Sequence, residues 1–313
     1  MSRLLSRGGR LRTRLARMIP PALSVRLRAY LHRLCREPEI AMLHRLCDRR
    51  RISLDIGANR GQFAYFLGRY SSDVVCFEPQ PQLASYLRQS LGGAASVRQC
   101  ALSDTTGRGT LHIPTIDGER ENDGLASLVQ FDDRPTKRID VAVRRLDDFG
   151  LSDVGFMKID VEGMETAVLR GGMRLIERER PALLVESERR HSRAAPDSVF
   201  ALLGRIGYRG FFWLGGHWRP VSEFSVDAHQ NERNTPDTHG QSSGCYINNF
   251  LFLPNERDAP ALPGLARREN AQVFAAREPS AASVANEPQR SRMIDRPPMR
   301  RADRRRRAAS ARR

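Results

Sequence analysis

The chain has 313 residues and a net charge of +16, enough for one large domain with tails. The charge is uneven: residues 1–51 hold 14 basic against 3 acidic side chains, 52–254 hold 23 against 26, and 255–313 hold 15 against 7. A nearly neutral core argues against a nucleic-acid groove, no apolar run reaches the length of a membrane span, and five scattered cysteines without C-x-x-C or Cys/His spacing argue against structural zinc.

The amino end is rich in Arg and has no acid before Glu37, but Pro20 and Pro21 interrupt any signal-peptide core. Residues 1–50 therefore read as a basic, helical extension. Leu4, Leu11, Leu15 and Met18 share a helical face in 1–19. In 22–35, Leu23, Leu27, Tyr30, Leu31 and Leu34 form a face opposed by Arg26, Arg28 and Arg33. A helix packed on the core is the preferred reading. A helix lying on an anionic membrane surface is the other. The cysteines fit a reduced, cytoplasmic setting, with that membrane contact as a peripheral addition.

The pattern then changes at Arg51. Ile52, Leu54 and Ile56 begin a buried strand that stops at Gly57. Gly57, Ala58, Asn59, Arg60 and Gly61 make a turn that glycine opens to close ligand approach. Phe63, Phe66, Leu67 and Tyr70 follow at helical spacing. Val74, Val75 and Phe77 give a second strand ending at Glu78. Ligands of open α/β sheets bind beyond the carboxyl ends of the strands. A carboxylate there suits both hydroxyls of a ribose. The loop is not G-x-G-x-x-G, and Asp55 would repel a pyrophosphate. Asp55 suits a cationic methionine moiety instead. These residues favour S-adenosylmethionine over NAD.

Further along, Gln82–Leu91 reads as a helix and Val97–Leu102 as a third strand, with "ALSD" (101–104) at its end. Gly109–Ile113 and Ile139–Val143 read as an inserted hairpin around a polar loop, 117–135, expected to be mobile and functional. Val154–Ile159 is a buried strand, followed by Asp160, Glu162, Glu165 and a helix ending at Gly171 and Gly172. Pro181–Glu186, Tyr208–Leu214 and Tyr246–Leu253 are further strands, and Pro196–Ile206 a helix. Alternating strands and helices predict a doubly wound α/β domain over 51–254. Residues 255–313 lack apolar clusters and are expected to form a disordered Arg/Ala/Pro-rich tail.

The chain resembles the FkbM-type family of methyltransferases. The resemblance is carried by "LDIGANRGQFA" (54–64), "VVCFEPQP" (74–81), "ALSD" (101–104), "RRLDDF" (144–149) and "FMKIDVEGMETAVLRGG" (156–172). It continues in "RPALLVE" (180–186) and "NNFLFLP" (248–254). It implies the class I, Rossmann-like methyltransferase fold: a seven-stranded, mostly parallel sheet with an antiparallel last strand. It also implies S-adenosylmethionine as cofactor and O-methylation of a sugar, glycan or polyketide-type metabolite. Asp55, Gly57 and Gly61, with Asn59 between them, match the methionine-binding loop. Glu78 matches the ribose-binding acid. Ala101, Leu102 and Asp104 match the adenine side, and Asp160 and Glu162 match the acids after the fourth strand.

An alcohol is a poor nucleophile, so a base is needed. Candidate catalytic groups are Asp160, Glu162 and His191. One acid would hold the cofactor and the other face the acceptor. No metal is assigned, because a third ligand is not evident. The alternative, an RNA methyltransferase using the basic tails, is disfavoured. The position that carries N/D-P-P-Y/F in base amino-methylating enzymes reads "DVEG" here, and no Cys nucleophile after a Pro is near.

Overall fold

A computed structural model describes residues 20–35, 38–116, 120–130, 135–192, 194–234 and 246–255. The helix expected within 1–19 and the expected tail lie outside the described residues, the latter except for Asn255. Parts of the polar loop, 117–119 and 131–134, lie outside them too.

Among the described residues twelve strands form two sheets. The larger is built on β1 (Ile52–Ile56), β2 (Val74–Phe77), β3 (Ser96–Arg98), β8 (Val154–Ile159), β9 (Ala182–Glu186), β10 (Tyr208–Leu214), β11 (His217–Pro220) and β12 (Asn249–Pro254). Their order is β11-β10-β12-β9-β8-β1-β2-β3. β3, β2, β1, β8 and β9 run parallel to one another, and β12 is antiparallel to both β9 and β10. This is the class I arrangement with one strand added. The sheet has eight strands rather than seven because Gly215 and Gly216, at φ +61° and +85°, reverse the chain after β10 into a hairpin with β11.

The smaller sheet is the expected insertion, with longer strands: β5 (Gly107–Ile116) and β7 (Thr136–Arg144) pair antiparallel, flanked by β4 (Ala101–Leu102) and β6 (Arg120–Glu121). The run 97–102 is thus two strands, not one. The chain tightens between them, Cys100 N donating to Arg98 O at 3.1 Å, and Ala101–Leu102 turn away to β7.

Period-two alternation divides the core. Leu54, Ile56, Val75, Phe77, Met157 and Ile159 face one layer, and Val74, Cys76, Phe156 and Leu184 the other. Helices cover both faces: α1 (Pro21–Cys35), α2 (Gln62–Tyr70), α3 (Pro81–Leu91), α4 (Glu165–Gly171), α5 (Met173–Glu179) and α6 (Asp197–Arg205). The glycine pair 171–172 ends α4 as expected, and α5 starts directly after it.

α1 is not a separate arm. Val25 and Ala29 are fully buried, Tyr30 packs edge-on against Tyr65 and Phe66, and the Tyr86 hydroxyl meets Ser24 Oγ at 3.1 Å. The expected apolar face is therefore split. Tyr30 turns into the core, while Leu23, Leu27 and Leu31 stay about half exposed. The side chain of Leu34 lies outside the described residues. Among the described residues no helix is long and apolar enough to cross a membrane.

Candidate active site

After β1 the chain runs outward through β2 and β3, then returns to the other side of β1 as β8. The carboxyl ends of β1 and β8 flank that reversal, where such sheets bind ligands. The Gly57 loop leaves β1, and Asp160–Glu162 leaves β8.

Gly57 has φ +80°. A Cβ there would stand 1.7 Å from the carbonyl oxygen of Asp160, so the two strand exits touch backbone to side chain position. Gly61, at φ +77°, would bring a Cβ to 2.8 Å from Leu87 and 3.5 Å from Val25. Both missing side chains thus make room for protein atoms, not only for a ligand. Asn59 and Glu162 also adopt left-handed backbone, at φ +46° and +50°. Such conformations in non-glycine residues cluster at functional sites.

Two hollows meet along Gly57, Asn59, Asp123, Gly124, Asp160 and Glu162. The first is walled by Phe77, Ala101, Leu102, Leu111, Leu128 and Met164, with Glu78 at its edge. The Glu78 side chain is held by the backbone. Oε2 accepts from Asn59 N at 2.8 Å and Oε1 from Gln80 N at 2.9 Å. Burial, opposed by those two bonds, pushes its pKa up to about 7. A carboxyl oxygen accepts more than one hydrogen bond, so each retains capacity for a hydroxyl. An apolar slot beside such a carboxyl fits a purine and its ribose. The insertion closes this side: Ser127 Oγ donates to Glu162 O at 2.7 Å, and Gln80 Nε2 to Asp123 O at 3.2 Å.

The second hollow is polar and open. Asp55 and Lys158 are cross-strand partners there. Lys158 is buried, with Nζ 3.5 Å from Asp160 Oδ2, 3.4 Å from Glu186 Oε2, 3.5 Å from Asn249 Oδ1 and 5.0 Å from the Phe63 ring centroid. Burial first, and Asp160 second, drive the Glu186 carboxyl well above its ordinary range.

Glu162 lines both hollows, and its Oε2 lies 2.5 Å from His191 Nδ1. Burial raises Glu162 well above the usual carboxyl range and lowers His191. Behind the pair, Glu188 is buried and held by Arg190 and by the Tyr246 hydroxyl at 2.5 Å. Glu165 is turned inward to its own turn, Oε1 accepting from Gly163 N at 2.7 Å.

Of the residues picked from sequence, Gly57, Asn59, Glu78, Ala101, Leu102, Asp160 and Glu162 line the first hollow, and Asp55 the second. His191 reaches the site only through Glu162. Gly61 lines neither hollow, and Asp104 is exposed beyond the slot, bonded to Ser103 Oγ at 3.2 Å. Among the described residues no group of three His, Cys, Asp or Glu side chains converges as metal ligands. Lys158, Glu186, Asn249 and Gln80 were missed by sequence reasoning. One signal existed: Lys158 is one of only two lysines in an Arg-rich chain, inside an apolar strand.

Residues 55–210, from the β1 acid into β10, match the model of the methyltransferase FkbM domain. The chain belongs to the FkbM methyltransferase family. Curated relatives agree. A 2-O-methyltransferase NoeI of Sinorhizobium fredii is 30% identical over 146 residues, covering 41% of this chain and 60% of that protein. Methyltransferase 1 of Beauveria bassiana is 28% identical over 145 residues, 38% of this chain and 57% of that one. The chain thus spans about three fifths of the length of the curated relatives it matches. The crystal structure of an FkbM methyltransferase from Methylobacillus flagellatus is 18% identical, with TM-score 0.40, covering 77% of this chain and 57% of that one. This FkbM-family chain carries acids at or beside the carboxyl ends of β1, β2 and β8.

Proposed function

We propose that the protein is an S-adenosylmethionine-dependent O-methyltransferase acting on a hydroxyl of a small-molecule or glycan acceptor. The observation that carries this reading is Glu78. Its carboxyl is buried at the exit of β2, pinned by two backbone N–H groups, and edges an apolar slot. That donor and acceptor set suits an adenosine. Asp55 and the Gly57 loop, in the adjoining polar hollow, suit the cationic amino-acid end. The NoeI relative, named as a 2-O-methyltransferase, supports a hydroxyl acceptor.

When bound, the cofactor supplies an electrophilic methyl group on a sulfonium. The chain's own residues do the rest. The apolar slot and Glu78 orient the nucleoside, which is the larger part of catalysis by positioning. Glu162 accepts the proton of the acceptor hydroxyl, through the oxygen not engaged with His191. His191 aligns that carboxylate. Lys158 offsets the charge of Asp160 and Glu186 beside it, so that these two partly buried acids are tolerated near one another.

Calorimetry tests the reading. S-adenosylhomocysteine is expected to bind the purified protein and NAD is not. Glu78→Ala is expected to abolish that binding without unfolding the chain. NAD binding in its place rejects the assignment.

A further inference from the structure

α1 lies outside the family match, yet one of its side chains lines the polar hollow. Arg28 shares that wall with Asp55, Gly57, Asn59 and Lys158. Three basic side chains line it. Arg60 is taken by Asp123 at 2.5 Å, and Lys158 is buried against Asp160 and Glu186. Among the described residues Arg28 makes no hydrogen bond or ion pair. Its backbone is nonetheless fixed. Val25 and Ala29 are buried on either side of it, and Val25 packs at the very loop that leaves β1, near Gly61.

We propose that Arg28 is the anion-binding group of this hollow and takes the carboxylate of the cofactor's amino-acid end. The proposal rests on the methyl-donor reading above. An amino-acid end is zwitterionic and needs one partner of each sign. Asp55 supplies the partner for the ammonium. A carboxylate entering among Asp55, Asp160, Glu162 and Glu186 is repelled unless a cation meets it. Arg60 and Lys158 are already neutralised. A guanidinium also matches a carboxylate with two parallel N–H donors. The helix that looks like an accessory extension then completes the cofactor site.

The test uses two ligands on the full chain, by calorimetry at pH 8. S-adenosylhomocysteine carries the amino-acid end; 5′-methylthioadenosine shares the adenosine and lacks it. Arg28→Ala is expected to weaken S-adenosylhomocysteine by roughly 10- to 100-fold, the usual effect of losing a charge-assisted bond. It should leave 5′-methylthioadenosine unchanged. Arg28→Lys should fall between, and Arg26→Ala, exposed on the same helix, should match the parent protein. Unchanged S-adenosylhomocysteine affinity in Arg28→Ala overturns the proposal and leaves the guanidinium to a carboxylate on the acceptor. Equal weakening of both ligands also overturns it, since the helix would then act by shape alone. If the parent protein binds neither ligand, the methyl-donor reading itself fails, and this proposal with it.

Discussion

Glu162 Oε2 and His191 Nδ1 stand 2.5 Å apart, and only the carboxylate of the pair lines the hollows. The imidazole is the backing partner, set after β9 and within the field of the Glu188–Arg190 pair. This geometry ranks the two groups. Glu162→Gln should slow methyl transfer by roughly 10²–10⁴-fold with cofactor affinity nearly unchanged. His191→Ala should cost less, roughly tenfold to a hundredfold, because it misplaces the base without removing it. The raised Glu162 pKa sets the pH profile. The competent carboxylate accumulates above that pKa, so single-turnover rates should rise with pH. A larger loss in His191→Ala than in Glu162→Gln would assign the base to the imidazole.

Glu78 makes the binding step pH-dependent as well. Ribose hydroxyls donate to the ionised carboxyl, and the folded protein holds that group near pKa 7 through burial. Only about a tenth of the protein is then binding-competent at pH 6, which weakens apparent affinity by roughly tenfold relative to pH 8. Calorimetry with S-adenosylhomocysteine at the two pH values reads this directly. Glu78→Gln should bind more weakly at pH 8 and lose most of the difference. A flat profile in the parent protein would remove Glu78 from the ribose.

What was legible in the sequence lies in contiguous stretches. Asp55, Gly57, Glu78, Asp160 and Glu162 lie at or just past the carboxyl ends of strands, so an apolar run broken by acids and glycine places them at one sheet edge. What was hidden came from register and packing between distant segments. Glu186 and Asn249 become neighbours because β12 runs antiparallel to β9, and no local pattern states that pairing. Arg28 enters the site because α1 packs against α2 and the Gly57–Gly61 loop. Its sequence shows only amphipathicity, which predicts a buried face but not the surface that buries it. β11 was missed because a short edge strand built on His217–Pro220 has little apolar content and depends on the Gly215–Gly216 turn.

Gly57 is expected to be a stability position first. Gly57→Ala drives a Cβ into the Asp160 carbonyl and adds left-handed strain, so the β1 and β8 exits must separate. The expected cost is about 2 kcal/mol or more. Gly150 is the comparison: it is left-handed, at φ +60° and ψ +28°, with nothing within 4 Å of a Cβ. Gly150→Ala should cost about 1 kcal/mol from strain alone. Urea melts of the two variants measure the difference, and equal costs would mean the Asp160 contact relaxes freely.

Leu23, Leu27 and Leu31 recur every four residues along the outer edge of α1, at 53, 50 and 52% exposure, while Val25 and Ala29 hold the inner edge. Arg26 is exposed within the same turns. The chain before this helix is strongly basic, with six arginines in 1–19 and no acid. We propose that this edge rests on an anionic membrane surface. Apolar contact would come from the leucines and electrostatic attraction from the arginines, each basic group contributing about 1 kcal/mol near a charged leaflet. The protein should pellet with phosphatidylglycerol vesicles at low salt and far less with phosphatidylcholine vesicles. Salt at 0.5 M should release it, since screening shortens the reach of surface charge to a few ångströms. A variant combining Leu23→Ser, Leu27→Ser and Leu31→Ser should lose vesicle binding and keep S-adenosylhomocysteine affinity, because none of the three lines the hollows. Equal pelleting with both lipids would reject the electrostatic part. A dimer in the parent protein that the same variant converts to monomer would give the leucine edge to a second copy of the chain instead.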